Sequence, residues 1–199
     1  MKPFNEELDK KKTIIEKYNS TSSFYDERYR KIQNEKFRLQ LKETDFKYKT
    51  LLDAGCGTGL LFEYISNLFC NDINRELRYI GLDISRKMLI QFYNKTKRTN
   101  YKENCSLILG DIENLPFRGD KFNLLISITA LQNLQDLRKG LQELIRIGKK
   151  NTAFMLSILR KQLKLEEVIT YLNSHMINLK TEIVDEIEDV IIRGTLLKD

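Results

Sequence analysis

The chain has 199 residues, of which 41% are hydrophobic and 31% charged, and its formal net charge is +6. This length suits one domain with a substantial core. No apolar run is long enough to span a bilayer, and the first residues lack the apolar segment of a secretory signal. The three cysteines are widely spaced, which favours neither a disulfide framework nor a zinc site. We therefore expect a cytoplasmic protein without a membrane segment or a metal centre.

The positive charge lies in the body of the chain. Residues 181–199 contain two basic and six acidic side chains, so the preceding residues carry the whole excess of positive charge. A basic body is typical of proteins that bind polyanions such as RNA. A lysine-rich surface without any polyanionic partner gives the same composition, so the charge alone leaves both interpretations open.

Two helices are predicted before the first strand. Residues 5–18 carry a weak apolar stripe, and the Ser/Thr-rich stretch 20–23 interrupts it. A second helix is predicted over residues 24–42. We expect residues 1–46 to form a helical cap and residues 47–199 to form the α/β domain.

From about residue 48 the pattern alternates between strand and helix. Helices are predicted over 60–70, 86–95, 133–147 and 163–176, with a turn at 71–74. Strands are predicted over 50–53, 78–83, 106–110, 122–128 and 152–156, followed by a hairpin of 180–184 and 190–197. This alternation predicts a doubly wound α/β fold with a mostly parallel sheet and an antiparallel C-terminal strand.

A ligand-binding turn is predicted between the first strand and the helix after it. Three glycines at alternate positions follow Asp53 and end at Gly59. Glycine permits positive φ and a close approach of a ligand to the backbone, and the helix N-terminus offers unpaired N–H groups. Polar residues also follow the next three strands, beginning at Asp83, Asp111 and Ser127. Because ligands of open α/β sheets bind beyond the carboxyl ends of the strands, we expect a nucleoside pocket there, with Asp83 on a ribose.

The chain resembles class I S-adenosylmethionine-dependent methyltransferases over roughly residues 48–160. The resemblance lies in the pattern Asp-x-Gly-x-Gly-x-Gly of residues 53–59, the acid at Asp83, and Gly-Asp-Ile-Glu-Asn-Leu-Pro-Phe at 110–117. A dinucleotide fingerprint would need glycine where Leu60 stands, and the phosphate-binding G-x-x-x-x-G-K-[ST] pattern is absent. The resemblance implies a seven-stranded Rossmann-like sheet and S-adenosylmethionine as cofactor.

The resemblance also implies roles for individual residues. Asp83 would bind the ribose hydroxyls, Asp111 the adenine amino group, and Ile84 and Ile112 the adenine ring. From the residues alone, Asp83 and Asp111 can also be turn or helix caps, and Asp53 can simply support the loop. The expected cofactor-binding residues are Asp53, Gly55, Cys56, Gly57, Gly59, Asp83, Ile84, Asp111, Ile112 and Ser127.

Methyl transfer from a sulfonium needs alignment and exclusion of water more than a strong acid–base pair. No such pair is evident, and His175 is expected to be structural. The candidate catalytic residues are Ser127, Asn133 and Tyr25. The Asp/Asn-Pro-Pro-aromatic motif of many base-amine methyltransferases is replaced by Ser-Ile-Thr-Ala-Leu-Gln-Asn at 127–133.

The cap resembles that of small stand-alone microbial methyltransferases, some of which modify RNA. The pattern Tyr-Asp-x-x-Tyr from residue 25, followed by Gln33 and Lys36, carries this likeness. It implies an RNA acceptor, with the cytosine N4 amine of ribosomal RNA as the leading expectation. Some relatives recruit a small activator subunit, and the sequence leaves open whether the sheet edge beside Leu107 and Leu109 does the same. The expected substrate-binding residues are Tyr25, Tyr29, Gln33, Arg160 and Lys161.

Three alternatives stay open at this point. The tyrosines of the cap can merely dock the helix on the sheet. The acceptor can be a small molecule, in which case activity would be insensitive to salt. The protein can also be a non-catalytic partner that binds the cofactor without turnover.

Overall fold

The computed structural model describes residues 4–42, 44–47, 49–68, 77–98, 102–162, 165–183 and 187–198. The helices are α1 (Phe4–Thr21), α2 (Tyr25–Leu41), α3 (Leu60–Leu68), α4 (Arg86–Thr96), α5 (Leu137–Ile147) and α6 (Leu165–Asn173). The strands are β1 (Thr50–Ala54), β2 (Arg78–Asp83), β3 (Cys105–Leu109), β4 (Phe122–Ile128), β5 (Gly148–Leu159), β6 (Met176–Ile183) and β7 (Asp189–Leu196). Within these ranges, no helix combines the length and apolarity that crossing a bilayer requires.

The strands form one seven-stranded sheet in the order β3-β2-β1-β4-β5-β7-β6. Strands β1 to β5 pair in parallel, and β7 runs antiparallel to both β5 and β6. The predicted mostly parallel sheet with an antiparallel C-terminal end is therefore confirmed. The strand order reverses between β1 and β4, and a ligand crevice is expected at the carboxyl ends of these strands.

Helices pack on both faces of the sheet. On one face, Phe37 and Leu41 of α2 join the apolar side chains of α3 and α4. On the other face, α5 and α6 cover a second apolar cluster. The apolar run of β4 is buried on both sides, as the sequence predicts. In contrast, none of the α1 side chains that the structure describes is fully buried, so polar contacts must contribute much of its attachment.

Three predicted helix boundaries differ from the structure by three or more residues. The first helix, expected to end at residue 18, ends at Thr21. The helix expected from residue 133 starts at Leu137, because the Asp136 side chain accepts a hydrogen bond from the Lys139 backbone N–H and caps it there (2.9 Å). The helix expected to reach residue 176 ends at Asn173, and Met176 is the first residue of β6. The predicted turn at 71–74 lies outside the described residues.

Candidate functional site

The loop after β1 is shaped by three glycines with positive φ, at Gly55, Gly57 and Gly59. A Cβ added to Gly55 would lie 2.3 Å from the Cβ of Ala130, and one added to Gly59 would lie 2.4 Å from the ring of Phe92. These two glycines therefore permit close packing. An added Cβ on Gly57 would meet no heavy atom within 4 Å, so this residue presents bare backbone to open space.

Asp83, at the end of β2, braces the same loop. Its Oδ2 accepts a hydrogen bond from the Gly57 backbone N–H (2.9 Å), and its Oδ1 accepts one from the Ser85 N–H (2.8 Å). Burial raises the pKa of Asp83, while these two bonds oppose the shift. Each carboxylate oxygen keeps a lone pair for a further donor, so Asp83 can brace the loop and bind a hydroxyl-bearing ligand at once.

Asp111, after β3, faces a lysine from the cap. Its Oδ2 accepts a hydrogen bond from Lys11 Nζ (2.6 Å), and Nζ also pairs with Glu113 Oε2 at 2.8 Å. Burial alone would lower the pKa of Lys11, but its bonds to the two carboxylates outweigh that effect and raise it. Glu113 is almost fully buried and accepts a hydrogen bond from the Gln135 N–H (2.6 Å). Lys11 and Glu113 are not among the predicted site residues, because their pairing joins α1 to the segment after β3 and these are far apart in the chain.

A cavity of about 720 Å³, counting its open mouth, lies between these elements. Its floor is the glycine loop, and α1 forms its roof through Lys11, Ile14 and Tyr18. Hydrogen bonds hold α1 at the rim of the cavity: Asn19 Oδ1 accepts one from Ser85 Oγ (2.8 Å) and one from the Lys87 N–H (3.1 Å). The other lining residues are Tyr25, Gly55, Gly57, Asp83, Ile84, Met88, Gly110, Asp111, Ile112, Glu113, Ile128, Thr129, Ala130, Asn133 and Leu134.

A smaller cavity of about 330 Å³ lies on the α2 side of the glycine loop. Asp53, Gln33 and Tyr25 line it, and Tyr25 also lines the larger cavity. The Asp53 carboxylate accepts a hydrogen bond from the Tyr79 hydroxyl, and burial raises the pKa of Asp53 to about 7. The buried Gln33 Oε1 has no hydrogen-bond partner among the described residues. Two acceptor groups therefore face a space beside the bare loop, which suits a cationic group.

The residues after β4 form the wall opposite Asp83. Ser127, expected to line the pocket, is fully buried and donates to the Ala54 carbonyl oxygen (2.8 Å). Ile128, Thr129 and Ala130 line the cavity in its place. Asn133 does line it, and its Nδ2 donates to the hydroxyl oxygen of Tyr18 (2.9 Å).

The other predicted substrate residues divide into two groups. Tyr25 and Gln33 line the cavities, and burial raises the pKa of Tyr25 above its usual range, so its phenol stays protonated. Tyr29 packs against Tyr25 with its ring tilted and the ring centroids 4.7 Å apart, but it lines neither cavity. Arg160 and Lys161 lie exposed after β5, also away from both cavities. Of the remaining expected cofactor residues, Cys56 lines the smaller cavity and Gly59 packs behind the loop.

Comparison with known proteins decides the family. Residues 45–193 match the model of a methyltransferase domain. The chain belongs to this family. The resemblance to class I methyltransferases predicted from the sequence is thereby confirmed, together with its Rossmann-like sheet.

The sequence identity between this chain and individual relatives is low. The chain is 28% identical over 150 residues to an uncharacterized protein of Methanocaldococcus jannaschii, covering 73% of this chain and 51% of that protein. It is 35% identical over 123 residues to malonyl-[acyl-carrier protein] O-methyltransferase of Hamiltonella defensa, covering 62% and 43% of the two chains. The chain thus spans about half the length of these relatives, or less.

A solved structure shows the same fold. Magnesium protoporphyrin IX methyltransferase from Synechocystis PCC 6803, crystallised with bound S-adenosylmethionine, superposes with a TM-score of 0.73. The match covers 94% of this chain and 97% of that one at 16% sequence identity.

Proposed function

We propose that this chain transfers a methyl group from S-adenosylmethionine to a small organic acceptor. The observation that carries the proposal is the roofed cavity beside the bare glycine loop, with a carboxylate after each of β2 and β3. The cavity lining, which combines carboxylates with the apolar side chains Ile84 and Ile112, suits one ligand built like a nucleoside with a short side chain.

The residues fit the cofactor part by part. Asp83 has free lone pairs for the ribose hydroxyls, and Ile84 and Ile112 offer apolar surface to the adenine. Asp111 can accept from the adenine amino group, as it does from Lys11. Asp53 and Gln33 Oε1, an atom without a partner among the described residues, can accept from the ammonium group of the methionine moiety. When bound, the cofactor supplies a methyl group on an electrophilic sulfonium.

The acceptor side would then be the wall after β4. Ile128 and Ala130 present apolar surface there, Thr129 carries a hydroxyl, and Tyr25 presents a protonated phenol. None of these groups is a strong base near neutral pH. The wall therefore suits orientation of an acceptor and exclusion of water, which are the requirements of an in-line displacement from a sulfonium.

Placement of two cap lysines, Lys10 and Lys11, favours a small acceptor over RNA. Lys11 pairs with Asp111 and Glu113 inside the rim, and Lys10 Nζ donates to the Leu134 carbonyl oxygen. Both ammonium groups are thus used within the protein rather than presented to a polyanion. The Hamiltonella and Synechocystis relatives are named for acceptors of small or moderate size, a carrier-bound malonyl group and a porphyrin.

RNA is the second candidate acceptor. Arg86 and Lys87 at the start of α4 and Lys97 and Arg98 at its end are exposed, and the chain has a net charge of +6. A base amine, such as cytosine N4, stays the leading prediction within this class. The activator subunit at the β3 edge, where Leu109 is exposed, likewise stays a prediction.

The test is methyl transfer to fractionated extracts. The folded chain is incubated with S-adenosylmethionine labelled in the methyl group, and with either the low-molecular-weight fraction or the total RNA of a cell extract. We expect label in small molecules, at a rate nearly flat between about 50 and 200 mM salt. Nuclease-sensitive label in RNA, with binding that weakens steeply over this salt range, would replace this proposal with the second candidate.

A further inference from the structure

A buried cluster of charged and hydroxyl side chains lies behind the acceptor wall. Lys36 Nζ pairs with Asp189 Oδ1 at 2.8 Å and donates to Thr129 Oγ1 at 2.8 Å. Thr129 Oγ1 donates to Asp189 Oδ2 at 2.8 Å, and the Ser157 hydroxyl donates to the same oxygen. The side chains of Lys36 and Asp189 are only 4% and 0% exposed. The cluster joins α2, the end of β4, β5 and β7.

At the centre of the cluster the backbone takes an unusual conformation. Thr129 has a φ of +55°, in the left-handed region that a β-branched residue rarely adopts. Its N–H donates to the Ser157 carbonyl oxygen (2.8 Å), and its own carbonyl oxygen accepts from Gln132 Nε2 (2.6 Å). Such a conformation persists only where the surroundings hold it, and this hydroxyl is held by an ion pair.

The backbone turn at Thr129 determines the shape of the acceptor wall. The left-handed conformation of Thr129 turns the chain out of β4 and thereby positions Ile128 and Ala130, its two neighbours, along the cavity. Ala130 packs against the Cα of Gly55. The conformation of Thr129 also begins the short turn that carries Asn133 to the cap tyrosine Tyr18. A change at Thr129 would therefore move the groups that line the acceptor side and leave Asp83 in place.

A contribution to stability explains only weakly why the Lys36–Asp189 ion pair is buried. Burying two charges costs desolvation energy, and well-packed apolar side chains at such positions are often equally stabilising. We propose that Lys36 and Asp189 are positioning residues, which hold Thr129 in its left-handed conformation and thereby shape the acceptor wall. This inference rests on the proposed function, because it takes the wall after β4 to be the acceptor side.

The test compares two neutralised ion pairs. In Lys36→Met/Asp189→Asn the cluster loses both charges without leaving either one buried and unpaired. The control is Lys198→Met/Asp120→Asn, which removes a remote ion pair that also ties strands together. Thr129→Gly is a third variant, since glycine accepts positive φ but carries no hydroxyl. For each, we measure backbone amide NMR spectra without ligand and the resonance of bound S-adenosylmethionine labelled with carbon-13 in its methyl group.

In the double variant at positions 36 and 189, and in Thr129→Gly, we expect the amides of 128–133 to shift and those of 83–85 to stay. The bound methyl resonance should move, with a cofactor Kd within about threefold of wild type, and the control should change neither. Unmoved 128–133 amides in either folded variant would overturn the positioning role. Failure of wild type to bind the cofactor would refute the proposed function instead, and the ligand-free amides would still decide the inference.

Discussion

Replacing Asp83 with alanine tests whether the acid after β2 binds the cofactor. In the free protein its two oxygens accept one backbone N–H each, from Gly57 and Ser85. Asp83 is half-buried, so water can reach these two N–H groups once the side chain is gone. The fold should therefore survive, while any hydrogen bond from a ribose to this carboxylate is lost.

The size of the effect follows from the charge of the acceptor. Hydrogen bonds to charged groups contribute about 1.5–3 kcal/mol, so the Kd for S-adenosylmethionine should rise about 10- to 150-fold. Asp83→Asn should also weaken binding. The carboxylate offers a separate oxygen to each of the two backbone N–H groups, whereas the amide has only one acceptor oxygen. Its NH₂ group would face one of those donors, which should also lower the free energy of unfolding.

Isothermal titration calorimetry with S-adenosylmethionine and S-adenosylhomocysteine measures both variants. Glu166→Ala removes an exposed acid at the start of α6 and controls for the change in net charge. Circular dichroism and thermal melts establish that each variant is folded. An affinity of folded Asp83→Ala within about twofold of wild type would refute the assignment of this acid to the cofactor.

Three further predictions concern the loop and its roof. Gly55→Ala should destabilise the fold and abolish cofactor binding, since its Cβ would meet Ala130 at 2.3 Å; thermal melts and calorimetry measure both. Lys11→Met should speed both association and dissociation of the cofactor in stopped-flow experiments, because it removes the ion pairs that hold α1 over the cavity. Asp53 should make stability depend on pH. Its pKa rises to about 7 in the folded chain, so its stabilising contribution is complete below about pH 4 and is lost as the pH rises to about 7.

Each of these has its own control. Gly57→Ala adds the same methyl group into open space, so it should unfold at a higher temperature than Gly55→Ala; equal melting temperatures would contradict the packing argument. Lys12→Met, on the exposed side of α1, should leave the cofactor rates unchanged. Asp53→Asn stays neutral throughout, so urea unfolding should show wild type losing stability relative to it between about pH 4 and pH 7. Parallel curves would mean that folding does not raise the pKa of Asp53.

The sheet and the cofactor wall could be predicted because their signals are local. A continuous apolar run marks β4, and glycine spacing followed by an acid marks the turn after β1. Asp83 and Asp111 follow from one topological rule, since the carboxyl ends of parallel strands meet at one edge. These predictions need only the pattern within each element.

The rest of the site depends on contacts between distant segments. Lys36 and Asp189 are 153 positions apart, and nothing in either local pattern indicates a buried ion pair. Lys11 lies in a run of three lysines that reads as solvated surface, although its ammonium group turns inward to Asp111. The sequence predicts Ser127 on the pocket because polar residues follow each strand. Ser127 instead lies inside β4, where it is fully buried and its hydroxyl donates to the Ala54 carbonyl oxygen. Thr129 follows the end of β4 and lines the cavity.

Calorimetric titration of the folded wild-type chain with S-adenosylmethionine, with adenosine and NAD as comparison ligands, tests whether the cavity beside the glycine loop holds this cofactor. We predict saturable binding of one S-adenosylmethionine per chain and no binding of NAD. Adenosine should bind more weakly, because it lacks the methionine moiety that Asp53 and Gln33 would hold. Absence of S-adenosylmethionine binding to the folded chain, or tighter binding of NAD, would contradict the assignment of this cofactor.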